Sequence, residues 1–152
     1  MRPTDSPLVR AGMAIWISLL AIDTLFYASI TLSYKLGLFT QHYPYPRNVA
    51  LIEVTPLWEP MLALVAGLTF LVATVLILRR SRLAIGAVLA PFIISLWLFS
   101  IRFARTESGY LEGLAAAYQR SHLVVIWPVA GLAIMSLICL ALWHDRRTSL
   151  PG

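Results

Sequence analysis

Four long apolar runs constrain this chain more than any other feature. They lie near 8–34, 61–78, 83–101 and 123–143, and the second, third and fourth contain no charged residue. A helix that crosses a bilayer needs about 20 predominantly apolar residues. Each run meets that length. Transmembrane β-strands would alternate apolar and polar residues over about 10 positions, and these runs do not alternate. The sequence therefore predicts an all-α integral membrane protein: a four-transmembrane-helix bundle in one domain over 1–152. Composition agrees. Hydrophobic residues make up 59% of the chain and charged residues 12%, against about 25% charged in a soluble domain. Too few polar groups remain to coat a globule in water.

The first run is too long for a cleaved signal, and it ends in aromatic residues and Lys35 rather than in a small-residue cleavage site. It reads as a retained anchor. Lys and Arg counts then set the orientation. Arg2, Arg10, Arg79, Arg80, Arg82, Arg146 and Arg147 fall on one side. Lys35, Arg47, Arg102, Arg105 and Arg120 fall on the other. The short connector 79–82 carries the densest cluster. Both termini are therefore expected in the cytoplasm, across an inner or plasma membrane. The net charge of +5 becomes a matter of topology and lipid head groups, not of nucleic-acid binding.

Two connectors, 35–60 and 102–122, are expected on the outer side. Val49–Val54 reads as a short strand or an interfacial segment because of its branched residues. In the later connector Leu111, Leu114, Ala115 and Tyr118 recur at helical spacing. They predict a short amphipathic helix on the outer surface. Both connectors suit a cap over the bundle or a docking surface.

Asp23 is the sharpest chemical feature. It is the only charged residue deep within a span. A carboxylate at that depth costs about 2.5–3.5 kcal/mol on insertion scales, so it is expected to face the interior with a partner or be neutral. Tyr27, Thr31 and Tyr34 follow at i+4, i+8 and i+11, which reads as one helical face and extends a polar stripe toward the outer surface. Ser95, Ser136, Thr69 and Tyr27 are the partners available in the spans. With Arg102 and His122, the stripe forms the set of ligand or proton-relay candidates. Packing around Asp23, or pairing with another subunit, is the favoured reading.

Other motifs exclude more than they suggest. His122 and His144 bracket the last span and stand roughly 33 Å apart along a helix, so they cannot grip one haem. His42 and His122 share the outer side without a supporting metal-ligand spacing. The lone Cys139 excludes an internal disulfide and reads as a packing residue. Glu53, Glu59, Glu107 and Glu112 read as solvated connector charges. Ala63 with Gly67, and Gly86 with Ala90, form small-xxx-small pairs for helix packing. Pro91 and Pro128 interrupt backbone bonding inside spans.

The layout resembles anthrone-oxygenase-like four-helix membrane proteins, in which a short amphipathic piece with basic and aromatic residues precedes the last helix. Tyr118, Arg120 and His122 occupy that place here. It also resembles the four-span small subunits of tripartite carboxylate transporters. Both resemblances are topological and bring no residue roles.

The expected function is association. The chain reads as an accessory subunit in the assembly or stabilisation of a larger membrane complex, with electron-transfer or quinone-linked complexes as the class considered. No intrinsic cofactor or metal is expected, only lipid or quinone at the surface. Its partners would be membrane lipids and other membrane subunits. The alternatives are a small membrane enzyme or a quinone- or lipid-like binder near Asp23, and a transporter component with Asp23 in proton coupling. Catalytic residues are not assigned, and an enzyme is the less favoured class.

Overall fold

The computed structural model describes residues 6–38, 52–53, 55–105 and 123–148, the side chains of residues 99, 102–105, 123–129 and 145–148 excepted. All regular structure among the described residues is helical. Their four helices are α1 (Pro7–Lys35), α2 (Trp58–Leu78), α3 (Ala84–Arg105) and α4 (Leu123–Thr148). By length and composition, α1 and α2 are long and apolar enough to cross a membrane. The 21 residues of α2 span about 30 Å, the thickness of a hydrocarbon layer. The expected surface helix lies outside the described residues. Of the VALIEV segment, Ile52 and Glu53 are described, and they are helical rather than extended.

Local chemistry sets the helix ends. Pro7 occupies the first turn of α1, where its missing N–H loses no bond. Glu59 stands in the first turn of α2, where a carboxylate meets the positive end of the helix dipole. Both α1 and α2 close with the same paired motif. At the end of α1, Gly37 N–H donates to Tyr34 O (3.0 Å) and Leu38 N–H to Ser33 O (2.9 Å). At the end of α2, Arg80 N–H donates to Ile77 O (3.1 Å) and Ser81 N–H to Leu76 O (2.9 Å). This is the Schellman arrangement, which needs a left-handed residue just past the helix. Gly37 supplies it at φ 70° and Arg80 at φ 54°. Ser81 then starts α3, its Oγ accepting from Leu83 N–H at 3.2 Å.

Packing of α1 on α2 rests on small residues. Ala14, Ala21 and Ala28 recur every seven residues on α1 and are buried. Ala63, Ala66, Gly67 and Ala73 line the facing side of α2. A Cβ built on Gly67 would lie 2.7 Å from Leu25 Cγ and 3.3 Å from the Leu25 backbone nitrogen, so only glycine permits this approach. Ser18 Oγ and Thr74 Oγ1 meet at 3.3 Å. The pairs 25/67 and 18/74 define one antiparallel register. In it Asp23 stands level with Thr69, and Arg10 stands level with the 79–83 turn.

One buried cluster draws on all four helices: Met13, Ala14, Ile17 and Ala21 from α1, Phe70, Ala73 and Ile77 from α2, Ala84 and Val88 from α3, and Met135 and Ile138 from α4. Cys139 is packed against it. A second cluster joins Ala28, Ala63 and Leu98, with Tyr27 and Ile94 against it. Pro91 is fully buried inside α3. The other small pair behaves differently. Gly86 and Ala90 are exposed, and a Cβ on Gly86 would meet nothing within 4 Å.

Candidate functional site

Asp23 faces outward. Buried positions of α1 run through Met13, Ala14, Ile17, Ala21, Ala28 and Thr31. At 100° per residue, Asp23 lies roughly 120° round the helix from the centre of that set. Its side chain is exposed, and among the described residues no hydrogen bond or ion pair reaches it. This corrects the expectation that Asp23 faces the interior. The reason is steric. The inward face of α1 is already filled, by Ala14, Ala21 and Ala28 at the close approach to α2 and by Met13, Ile17 and Thr31, which leaves a carboxylate no room there.

Two of the hydroxyls expected as its partners are engaged locally. Thr69 Oγ1 donates to Val65 O at 2.8 Å and Ser136 Oγ to Leu132 O at 2.9 Å. Such i−4 bonds satisfy a hydroxyl on an apolar helix. Ser95 Oγ is buried with no partner among the described residues, on α3 rather than beside Asp23.

The polar stripe is not one face. Steps of four residues advance roughly 40° beyond a full turn each, so the stripe winds inward. Asp23 is exposed, Tyr27 is half-buried against the Ala28–Ala63–Leu98 cluster, and Thr31 is 1% exposed. Tyr34 donates weakly to Glu53 Oε1 at 3.5 Å, and Lys35 Nζ donates to Glu53 O at 3.3 Å. These contacts tie the end of α1 to the segment before α2. The Trp58 and Trp97 rings meet near the same end, with centroids 5.5 Å apart.

A second locus was missed. Glu59, which reads in the sequence as a solvated connector charge, is 0% exposed. It lies one turn from Ala63 on the face that packs α1. Thr31 and Thr55 are the other buried polar side chains among the described residues. One turn beyond Leu98 on α3 stands Arg102, whose side chain lies outside the described residues, as do His122 and the ring of Pro128. The available signal was positional. Glu59 and Ala63 differ by four, so a helix that buries the alanine also buries the carboxylate.

Large apolar side chains cover the outside. On α1 these are Leu8, Ile15, Leu19, Ile22 and Phe26, the last 65% exposed. The four from Ile15 onward follow a 4-3-4 spacing, the seam pattern of helix pairing, and Asp23 directly flanks it. Among the described residues no three of His, Cys, Asp and Glu stand close enough to hold a metal ion. No protein family, curated protein or solved structure matches this chain, so the two topological resemblances bring no residue role to it.

Proposed function

We propose that this chain is a four-span integral membrane protein with cytoplasmic termini, acting as an accessory subunit that binds a larger membrane complex through the outward face of α1. The observation that carries the reading is Asp23, exposed beside an apolar seam on a helix long enough to cross a bilayer. Lipid tails offer that carboxylate neither a donor nor a cation. A partner helix does. The partner is a different polypeptide with a basic side chain at the same depth. A second copy of this chain would not serve, because Lys and Arg are absent from the middle of every span. The abundance of exposed large apolar residues on all four helices supports the membrane setting, since a surface of that kind in water would aggregate.

The test is extraction in mild detergent followed by particle mass and composition. The proposal expects a particle heavier than the 16.9 kDa chain that contains a second kind of subunit. A free monomer or a pure homo-oligomer contradicts it.

The buried Glu59 favours a second reading. Glu59, Thr31 and Thr55 would form a polar niche for the head group of a quinone or lipid-like molecule. Binding of a quinone analogue that is lost in Glu59→Gln would support this niche, and equal binding by the variant would remove it.

A further inference from the structure

Between Ala14 and Tyr34 the exposed residues of α1 are Ile15, Leu19, Ile22, Asp23, Phe26 and Ser29. All but Asp23 follow a 4-3-4-3 spacing, so the open strip is one seam wide. Asp23 stands directly beside that seam. The midpoint of Pro7–Lys35 falls at Ala21, and Asp23 lies about 3 Å beyond it along the axis. The exposed strip of α2 repeats the same spacing through Met61, Val65, Leu68, Val72 and Val75, all of them apolar. A strip of that kind suits lipid tails. The spacing is common to both helices, so the carboxylate is what sets α1 apart. A residue that flanks a seam faces a residue that flanks the partner's seam, whether the two helices run parallel or antiparallel.

We infer, on the accessory-subunit reading above, that the α1 strip seats a single transmembrane helix that carries one Lys or Arg beside its own seam, within a turn of mid-membrane. Charge complementarity chooses this occupant. A carboxylate at that depth loses its hydration, and a cation across the helix pair compensates through a charge-assisted hydrogen bond. The width of the strip limits the contact to one helix, since every other residue of α1 in this stretch is buried or half-buried. Two copies of this chain inserted in one orientation hold Asp23 at one depth, so two α1 strips that met would set carboxylate beside carboxylate. The partner is thereby specified by two properties: an apolar seam and the depth of one cation.

The experiment places the full chain, labelled with a fluorescent donor, in phosphatidylcholine vesicles and adds acceptor-labelled synthetic helices. Each helix is a Leu–Ala repeat long enough to span the bilayer. One carries Lys at its centre, one carries Leu there, and one carries Lys two turns nearer an end. Energy transfer is expected to report about tenfold tighter binding of the central-Lys helix than of the other two. Asp23→Asn should remove that preference, and Asp23→Glu should keep it. Equal binding of the central-Lys and Leu helices by the wild type overturns the inference, and it does so without any variant having to fold. A preference unchanged in Asp23→Asn overturns it too. Stronger transfer between two labelled copies of the chain than to the central-Lys helix assigns the strip to a second copy, which also overturns it. None of these results removes a two-component particle purified from native membranes, so the accessory-subunit reading fails separately. A chain that does not enter vesicles contradicts the membrane reading itself and takes the inference with it.

Discussion

The two faces of α1 differ in what they carry. On the packed side, Ala14, Ala21 and Ala28 stand at seven-residue intervals, with Met13 and Ile17 buried beside them. Away from α2 the face is large, with Leu8, Ile15, Leu19, Ile22 and Phe26. A helix in water buries its large apolar residues because water drives them together. In a hydrocarbon solvent that drive vanishes between helices, and close backbone approach takes its place. The alanines at the closest approach and the large residues on the outside suit such a solvent, with Ile17 and Phe70 filling the space between. The contrast also explains Asp23. The tight face excludes it, so it stands on the loose face, where its chemistry is available to another molecule.

The sharpest way to break this contrast is to place bulk on each side. Gly67→Leu puts side-chain atoms where Leu25 already lies and should destabilise the chain by about 3 kcal/mol, the upper part of the range for overpacking. Gly86→Leu, where nothing stands within 4 Å, should stay within about 0.5 kcal/mol of wild type. Thermal melts of both variants in one detergent check the pair. Leu25→Ala added to Gly67→Ala should recover part of the stability lost in Gly67→Ala alone, because it removes the two side-chain atoms a new Cβ would meet most closely and leaves the backbone nitrogen at 3.3 Å. Equal losses at 67 and 86 would erase the distinction between the faces.

Asp23→Leu tests the loose face. Membrane insertion of the single chain should improve by about 2.5–3.5 kcal/mol, read in an insertion assay, while association with the proposed partner subunit should be lost. The cap comparison comes next in size. Arg80→Gly should stabilise the chain by about 1 kcal/mol, the strain of a side chain in the left-handed region, whereas Gly37→Arg should destabilise it by a similar amount. Smallest is the inter-helix hydroxyl contact. Ser18→Ala or Thr74→Val should lower stability by about 0.6 kcal/mol, and the double variant should lose no more than the larger single one.

Much of the helical plan was legible in the sequence, because apolar runs of this length leave few alternatives. The Ala63–Gly67 pair was legible too, as a small-residue spacing. What separates it from Gly86–Ala90 was not: both have the same spacing, and the difference arises from which face of each helix meets a neighbour. Asp23 stood out by type and depth, but its direction depended on the alanine period of the opposite face, which a search for charges passes over. Glu59 was hidden for a related reason. Its position near a helix start suggested solvent, while its four-residue offset from Ala63 placed it on the packed side.

Photo-crosslinking from α1 tests the central claim most directly. A photoreactive residue at Leu19, Ile22 or Phe26 in native membranes should crosslink to a polypeptide other than this chain, and Asp23→Leu should abolish the product. Crosslinks to lipid alone, crosslinks to a second copy of this chain, or products that persist in Asp23→Leu would contradict the account.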